Sequence, residues 1–191
     1  MLKKLLLIGA FALLPALNAK ARIGYTLDEC IKQYGTPVED DGSEQNNDIQ
    51  SVRLGSNYHE PVKIFTVDGI KIYAGFNRGV VITEVVVFPN AITFASAKAF
   101  LSKVTPAWKK KALGDADGVD TFNAKLSSNG HSLIADFYLD TEDVNLIGKP
   151  FKYNSDAVEK ILLTDQTAIK EMHDDLDKQF KAKSEKALGD L

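Results

Sequence analysis

The chain has 191 residues, 45% hydrophobic and 26% charged, a length for one or two domains and an ordinary globular composition. Its 23 Lys and Arg against 26 Asp and Glu leave a net charge of −3, which argues against bulk nucleic-acid binding, because attraction to phosphate needs a basic excess. The one cysteine, Cys30, forms no internal disulfide and builds no cysteine-based zinc site.

The first element reads as a targeting segment. Lys3 and Lys4 precede an apolar run from Leu5 to Leu17 and then Asn18-Ala19-Lys20-Ala21, the order of a secretory signal peptide over residues 1–21. The apolar run is too short to span a bilayer, which takes about 20 residues in a helix. Cleavage after Ala19 or Ala21 is expected, giving an exported periplasmic or extracellular protein with no stable membrane anchor. Loss of residues 1–21 removes three lysines and no acid, which moves the net charge from −3 to −6.

A capped helix is predicted next. Thr26 and Glu29 have capping-box spacing, Leu27, Cys30, Ile31 and Tyr34 make one apolar face, and Gly35 and Pro37 end the element. The same spacing turns Cys30 inward, as a buried and inert thiol.

The run from Gly24 to Pro37, a glycine, a threonine cap, a glutamate three residues on and a final Gly-x-Pro, resembles the opening motif of the β-lactamase-inhibitor-protein-like superfamily. That group includes the small lipoprotein of the outer-membrane β-barrel assembly machinery. Residues 76–80 resemble the strand-turn-strand that follows there. The resemblance implies a helix-plus-antiparallel-sheet module whose relatives bind proteins without catalysis. It also implies a second helix before the sheet, where the residues themselves read as an acidic loop. That loop covers 38–61, carries Glu39, Asp40, Asp41, Glu44 and Asp48 on a solvated surface, and has room for a short strand over 49–54.

Two hairpins follow. Residues 62–67 and 70–76 flank Asp68-Gly69, a type I′ signal that sets Val67 opposite Ile70 and Phe65 opposite Ile72. Asn77-Arg78-Gly79 fits a three-residue loop pairing Phe76 with Val80, so that Val80, Ile82, Val86 and Phe88 continue the apolar face. A helix over 93–104 is expected to cover that face, and Trp108-Lys109-Lys110-Lys111 reads as a solvated turn. Asn129-Gly130 then pairs Leu126 with Leu133, Ala124 with Ala135 and Phe122 with Phe137. His131 is expected to be exposed, and residues 140–144 to form a polar loop. Residues 157–164 are a last strand or a short helix, and 165–188 a C-terminal helix with the stripe Ile169, Met172, Leu176 and Phe180. The whole is an α+β domain over 22–191, an antiparallel sheet of two hairpins with an N-terminal helix, a covering helix and a C-terminal helix.

Chemistry-bearing motifs are sparse. The string Asp115 to Asp120 misses most calcium-loop positions, and His173 with its neighbouring aspartates lacks the spacing of a metal site. No metal or cofactor is therefore expected. The nucleophile elbow, the phosphate-binding loop and the His-Glu-x-x-His motif are all missing. No residue is assigned as catalytic, and Glu84 is the single weak candidate. The register sets it among Ile82, Val86 and Phe88, either as a desolvated general acid or, the reading its surroundings favour, as a structural acid or one turned outward by a bulge. The opposite sheet face is half polar, and Lys71, Tyr73, Thr83 and Val85 on it are the candidate binding surface. The expected function is an exported, non-enzymatic binding or envelope-assembly module acting on a protein or cell-envelope component. The alternative is a small hydrolase or lyase using Glu84 with Asp120 or Asp136.

Overall fold

The computed structural model describes residues 23–40, 46–54, 60–110, 119–125, 129–142 and 152–189. The expected signal peptide, Asp41 and Glu44 of the expected acidic loop, Lys111, residues 115–118, Leu126 and residues 143–144 lie outside them. The chain folds as helices packed on one eight-stranded sheet, every neighbouring pair antiparallel. In chain order the elements are α1 (Leu27–Tyr34), β1 (Val38–Glu39), α2 (Asn47–Leu54), β2 (Lys63–Val67), β3 (Ile70–Asn77) and β4 (Val80–Thr93). They continue with α3 (Phe94–Ser102), β5 (Lys109–Lys110), β6 (Val119–Lys125), β7 (Ser132–Glu142), β8 (Lys152–Asp165) and α4 (Gln166–Gly189).

The strand order β1-β2-β3-β4-β8-β7-β6-β5 makes two halves that meet at the β4/β8 seam. Each half opens with a helix and a two-residue strand and goes on to three longer strands, the last of 14 residues; α2 is inserted after β1 and α4 follows β8. The leading helices start alike: the Thr26 hydroxyl accepts from the Glu29 amide and the Thr93 hydroxyl from the Ser96 amide, each satisfying an otherwise orphaned donor. In α1 the box is reciprocal, because the Glu29 carboxylate accepts from the Thr26 amide at 2.8 Å. Both outer strands are only two residues long, and β5 is Lys109-Lys110, exposed and charged. Short, charged edges discourage pairing with another sheet. Lys110, expected in a solvated turn, instead pairs with Asp120 at 2.6 Å.

One sheet face carries the main core. Phe65, Ile72, Phe76, Ile82, Phe88, Phe122, Leu133 and Phe137 are all buried. Helices α1 and α3 cover this face: Tyr34 meets Phe65 with ring centroids 5.3 Å apart, and Phe94 meets Phe137 at 5.4 Å. Trp108 is half-buried beside them and donates from Nε1 to the Leu101 carbonyl at 2.8 Å. Cys30 is fully buried at this interface.

The first turn holds Asp68 and Gly69 at φ 51° and 82°, both left-handed as a type I′ hairpin demands, and Val67 faces Ile70. The next turn differs from expectation. Asn77 pairs with Val80 around a two-residue turn in which Arg78 and Gly79 take φ 53° and 77°. The extra residue is displaced into the strand, where Phe76 faces Val81, Gly75 faces Thr83 and Ile82 has no opposite number. This bulge restores the phase, so Val86 and Glu84 still share the face of Ile72 and Ala74.

The β6–β7 hairpin slips by two residues from the expected register. Ala124 faces Leu133 and Phe122 faces Ala135, around a connection longer than Asn129-Gly130 alone. Side chains alternate with period two, so the slip leaves Phe122, Ala124, Leu133, Ala135 and Phe137 on one face. Strand β7 continues to Glu142, through the start of the expected polar loop, and residues 157–164 are strand.

The largest correction is α2, which stands where a loop or short strand was expected. Eight residues are too few for a stable isolated helix, so tertiary contacts hold it. Ile49 and Val52, fully buried, pack on Val62, Tyr73 and Val85 in a second core layer on the opposite sheet face. Three acids of the expected solvated run are paired instead: Asp40 with Arg53, Glu39 with Lys63, and Asp48 with Lys160 of β8.

Candidate functional site

Three of the four residues expected on an open binding face are not accessible. Tyr73, Thr83 and Val85 are buried, Tyr73 and Val85 beneath α2, and only Lys71 is exposed. A partial cover was expected from the half-polar pattern of this face, but residues 47–54 were not read as the element that supplies it over Tyr73 and Val85. Glu84 is 1% exposed on the main-core side, so no bulge turns it outward, and its Oε1 accepts from the Tyr34 hydroxyl at 3.3 Å. The acids proposed to work with it do not meet it. Asp136 alternates onto the other face of the sheet, and Asp120 lies on β6, three strands from β4, a separation of about 14 Å at ordinary strand spacing.

The accessible side of the second face belongs to the C-terminal half. Backbone pairing aligns Asn123, Ile134 and Thr164 in one row, Thr121, Asp136 and Leu162 in the next, and Val119, Tyr138 and Lys160 in a third. These rows run on across the seam to Thr83, Val85 and Val87 respectively, where α2 begins to cover them. Ile134, Asp136, Tyr138, Lys160 and Leu162 are half-buried. Between β1 and β2 the chain is long enough to supply α2; between β5 and β6 there are eight residues, 111–118. Among the described residues, this half has no counterpart of α2.

The surface is apolar with a polar border. Thr121 donates from its hydroxyl to Asp136 Oδ1 at 2.5 Å. Lys160 Nζ lies 2.7 Å from Asp48 and 4.8 Å from the centre of the Tyr138 ring, so one cation ties α2 to the aromatic face by an ion pair and a cation–π contact. Burial raises the Tyr138 phenol above its ordinary pKa, the Asp136 carboxylate adds to that, Lys160 opposes it, and Asp48 contributes least. All of these effects favour a neutral phenol at neutral pH except that of Lys160.

Tyr138, Ile134 and Lys160 were not singled out from sequence. A signal was present in 133–138, where Ile134, Asp136 and Tyr138 alternate with Leu133, Ala135 and Phe137. It is a strand apolar on both faces with one acid, the mark of a second face that is neither fully solvated nor fully sealed.

Among the described residues, no group of three or more His, Cys, Asp or Glu side chains is arranged to hold a metal ion. Likewise, no helix among them is long and apolar enough to cross a membrane. His131, expected to be exposed, is half-buried and lies 2.7 Å from Asp165, whose other carboxylate oxygen caps α4 by accepting from the Ala168 amide at 2.9 Å. This pair anchors the start of α4. Comparison of the chain with protein-family models, curated proteins and solved structures found no match.

Proposed function

We propose that the protein is an exported, non-catalytic binding module that takes a partner protein on the second sheet face of its C-terminal half. The observation that carries this is the asymmetry between the halves: α2 seals one part of that face, with Leu162 packed at the edge of the sealed layer, while the other part presents Ile134 and Tyr138 half-buried. An aromatic anchor among aliphatic residues, bordered by Thr121, Asp136 and Lys160, has the anatomy of a protein interface. Lys71 stays in the reading as an accessible charge in the Tyr138 row, across Lys160 and Val87. The likeness of residues 24–37 to a superfamily of protein binders supports the same reading. Export rests on the order of charge and apolarity in residues 1–21.

The test is photo-crosslinking in the native envelope or secreted fraction. A crosslinker at position 138 should trap a discrete partner and one at Gln50, on the outer side of α2, should not. Tyr138→Ala should weaken capture by about 2 kcal/mol or more with the fold retained. Equal trapping from both positions, or capture indifferent to Tyr138→Ala, would remove this face from the function.

A further inference from the structure

The C-terminal helix carries apolar surface that its own sheet does not cover. Met172 is buried, but one and two turns further Leu176 is 48% and Phe180 75% exposed. Single exposed apolar residues are ordinary; two in line on a helix beside a cavity are not. Next to Leu176 lies an open-mouthed depression of about 140 Å³, lined by Glu60, Asn77, Arg78, Met172, Leu176 and Gln179 among others. A volume of about 150 Å³ is enough for a benzene ring, and here Met172 and Leu176 supply the apolar wall while the rest of the lining, Asp175 included, is polar. Phe180, one turn beyond the depression, does not line it.

The charges of α4 are segregated. Its first twelve residues, Gln166–Asp177, hold four acids and one lysine; its last twelve, Lys178–Gly189, hold four lysines and one acid. A partner matching this pattern presents the reverse order along its axis. A second α4 running antiparallel does so, because a two-fold axis sets each acidic half against the other copy's basic half.

We propose that two copies of the chain associate through α4, crossing antiparallel at Leu176 and Phe180, with the Phe180 ring of each copy seated in the depression of the other. The contact is isologous and closes on itself, so it yields a dimer and no filament. Arg78, which ion-pairs with Asp175, holds the rim of the depression in place. Asp174 and Asp177 then lie beside the other copy's Lys178 and Lys181. The interface is one helix crossing with two inserted rings, at the small end of specific interfaces. The dimer is therefore concentration-dependent and sensitive to salt.

Sedimentation equilibrium of the full mature chain over a wide concentration series tests this. A monomer–dimer equilibrium is expected, weakened about a thousandfold by Phe180→Ala, the factor matching ~2 kcal/mol for each of the two aromatic anchors that the substitution removes from the dimer. Circular dichroism, and the melting temperature at concentrations where the parent chain is monomeric, should not move, since the ring is exposed in the monomer. A charge exchange adds the orientation. The Lys181→Glu, Lys183→Glu variant and the Asp174→Lys, Asp177→Lys variant should each self-associate less than the parent chain, and their mixture should dimerise more strongly than either alone. A chain monomeric at every concentration, or a dimer indifferent to Phe180→Ala, overturns the proposal. So does a monomer that binds vesicles of anionic lipid through Phe180, because the stripe then serves a bilayer surface.

Discussion

The two halves of the sheet share a plan and differ in what covers their second face. In both, the main-core side is closed by a threonine-capped helix, α1 over one half and α3 over the other. On the reverse side the N-terminal half has Ile49 and Val52 of α2 packed over Tyr73 and Val85, whereas in the C-terminal half Ile134, Tyr138 and Leu162 are only half-buried. The strands alone do not set this difference, because Ile134 and Leu162 are as apolar as Val85. Connection length differs with it: the connection from β1 to β2 holds α2, and eight residues, 111–118, join β5 to β6. A similar strand pattern thus becomes a core layer in one half and an accessible surface in the other.

The largest expected effect tests whether the halves form one unit. Phe65 in β2 and Phe137 in β7 are both fully buried in the shared core. Truncating either to alanine should cost about 3 to 5 kcal/mol, read as a shift of the denaturant midpoint in a single transition. Two transitions, with only the mutated half melting early, would show that the seam does not couple the halves.

A smaller effect separates the two second faces directly. Ile49→Ala empties the sealed layer beneath α2 and should cost about 2 to 4 kcal/mol. Ile134→Ala, half-buried on the accessible side, should cost about 1 kcal/mol or less. Equal losses in chemical denaturation would mean that the C-terminal face is as well covered as the N-terminal one, and the proposed binding surface would go with it.

The caps sharpen the comparison further. Thr26→Ala and Thr93→Ala should each destabilise by about 1 kcal/mol. Thr26 should be the more costly, since its removal also breaks the hydroxyl contact to the Glu29 carboxylate at 2.9 Å that orders the reciprocal box.

The smallest effect is in pH. The folded state raises the Tyr138 pKa from its ordinary value of 10.0, chiefly by burial and then through Asp136, so the folded chain holds this proton more tightly than the unfolded one. Its contribution to stability is complete below about pH 10 and is lost as the pH rises through the folded-state value. Tyr138→Phe should flatten that alkaline decline in a pH series of thermal melts. An unchanged slope would mean that the phenol titrates as it does in the unfolded chain.

Much of the frame was legible from local chemistry. The Thr26 and Glu29 spacing, the left-handed demand at Asp68-Gly69 and the period-two runs each depend on residues close in sequence. The phenylalanine positions were legible for the same reason, and a two-residue slip in β6–β7 left them inward. Helix α2 was not, because with Ile49, Val52 and Leu54 as its only apolar residues its 3.6-residue period is too faint to see. The functional face was misplaced as a consequence: Lys71, Tyr73, Thr83 and Val85 share a sheet face, yet α2, which hides Tyr73 and Val85, was not read from the sequence.

By itself, then, the amino-acid order determined where helices begin, which turns take positive φ, which side chains alternate inward and how charge is distributed along α4. Those properties are set over a few residues, by hydrogen-bond geometry, steric limits on φ and periodicity. The tertiary structure decided that β4 and β8 meet, that the bulge falls at Ile82, that Glu84 is buried against Tyr34, and that Asp48 reaches Lys160 across the seam. These outcomes depend on contacts between distant segments competing for the same surface. Which part of the second sheet face is sealed was settled by where α2, a helix distant in sequence from β4 and β8, packs.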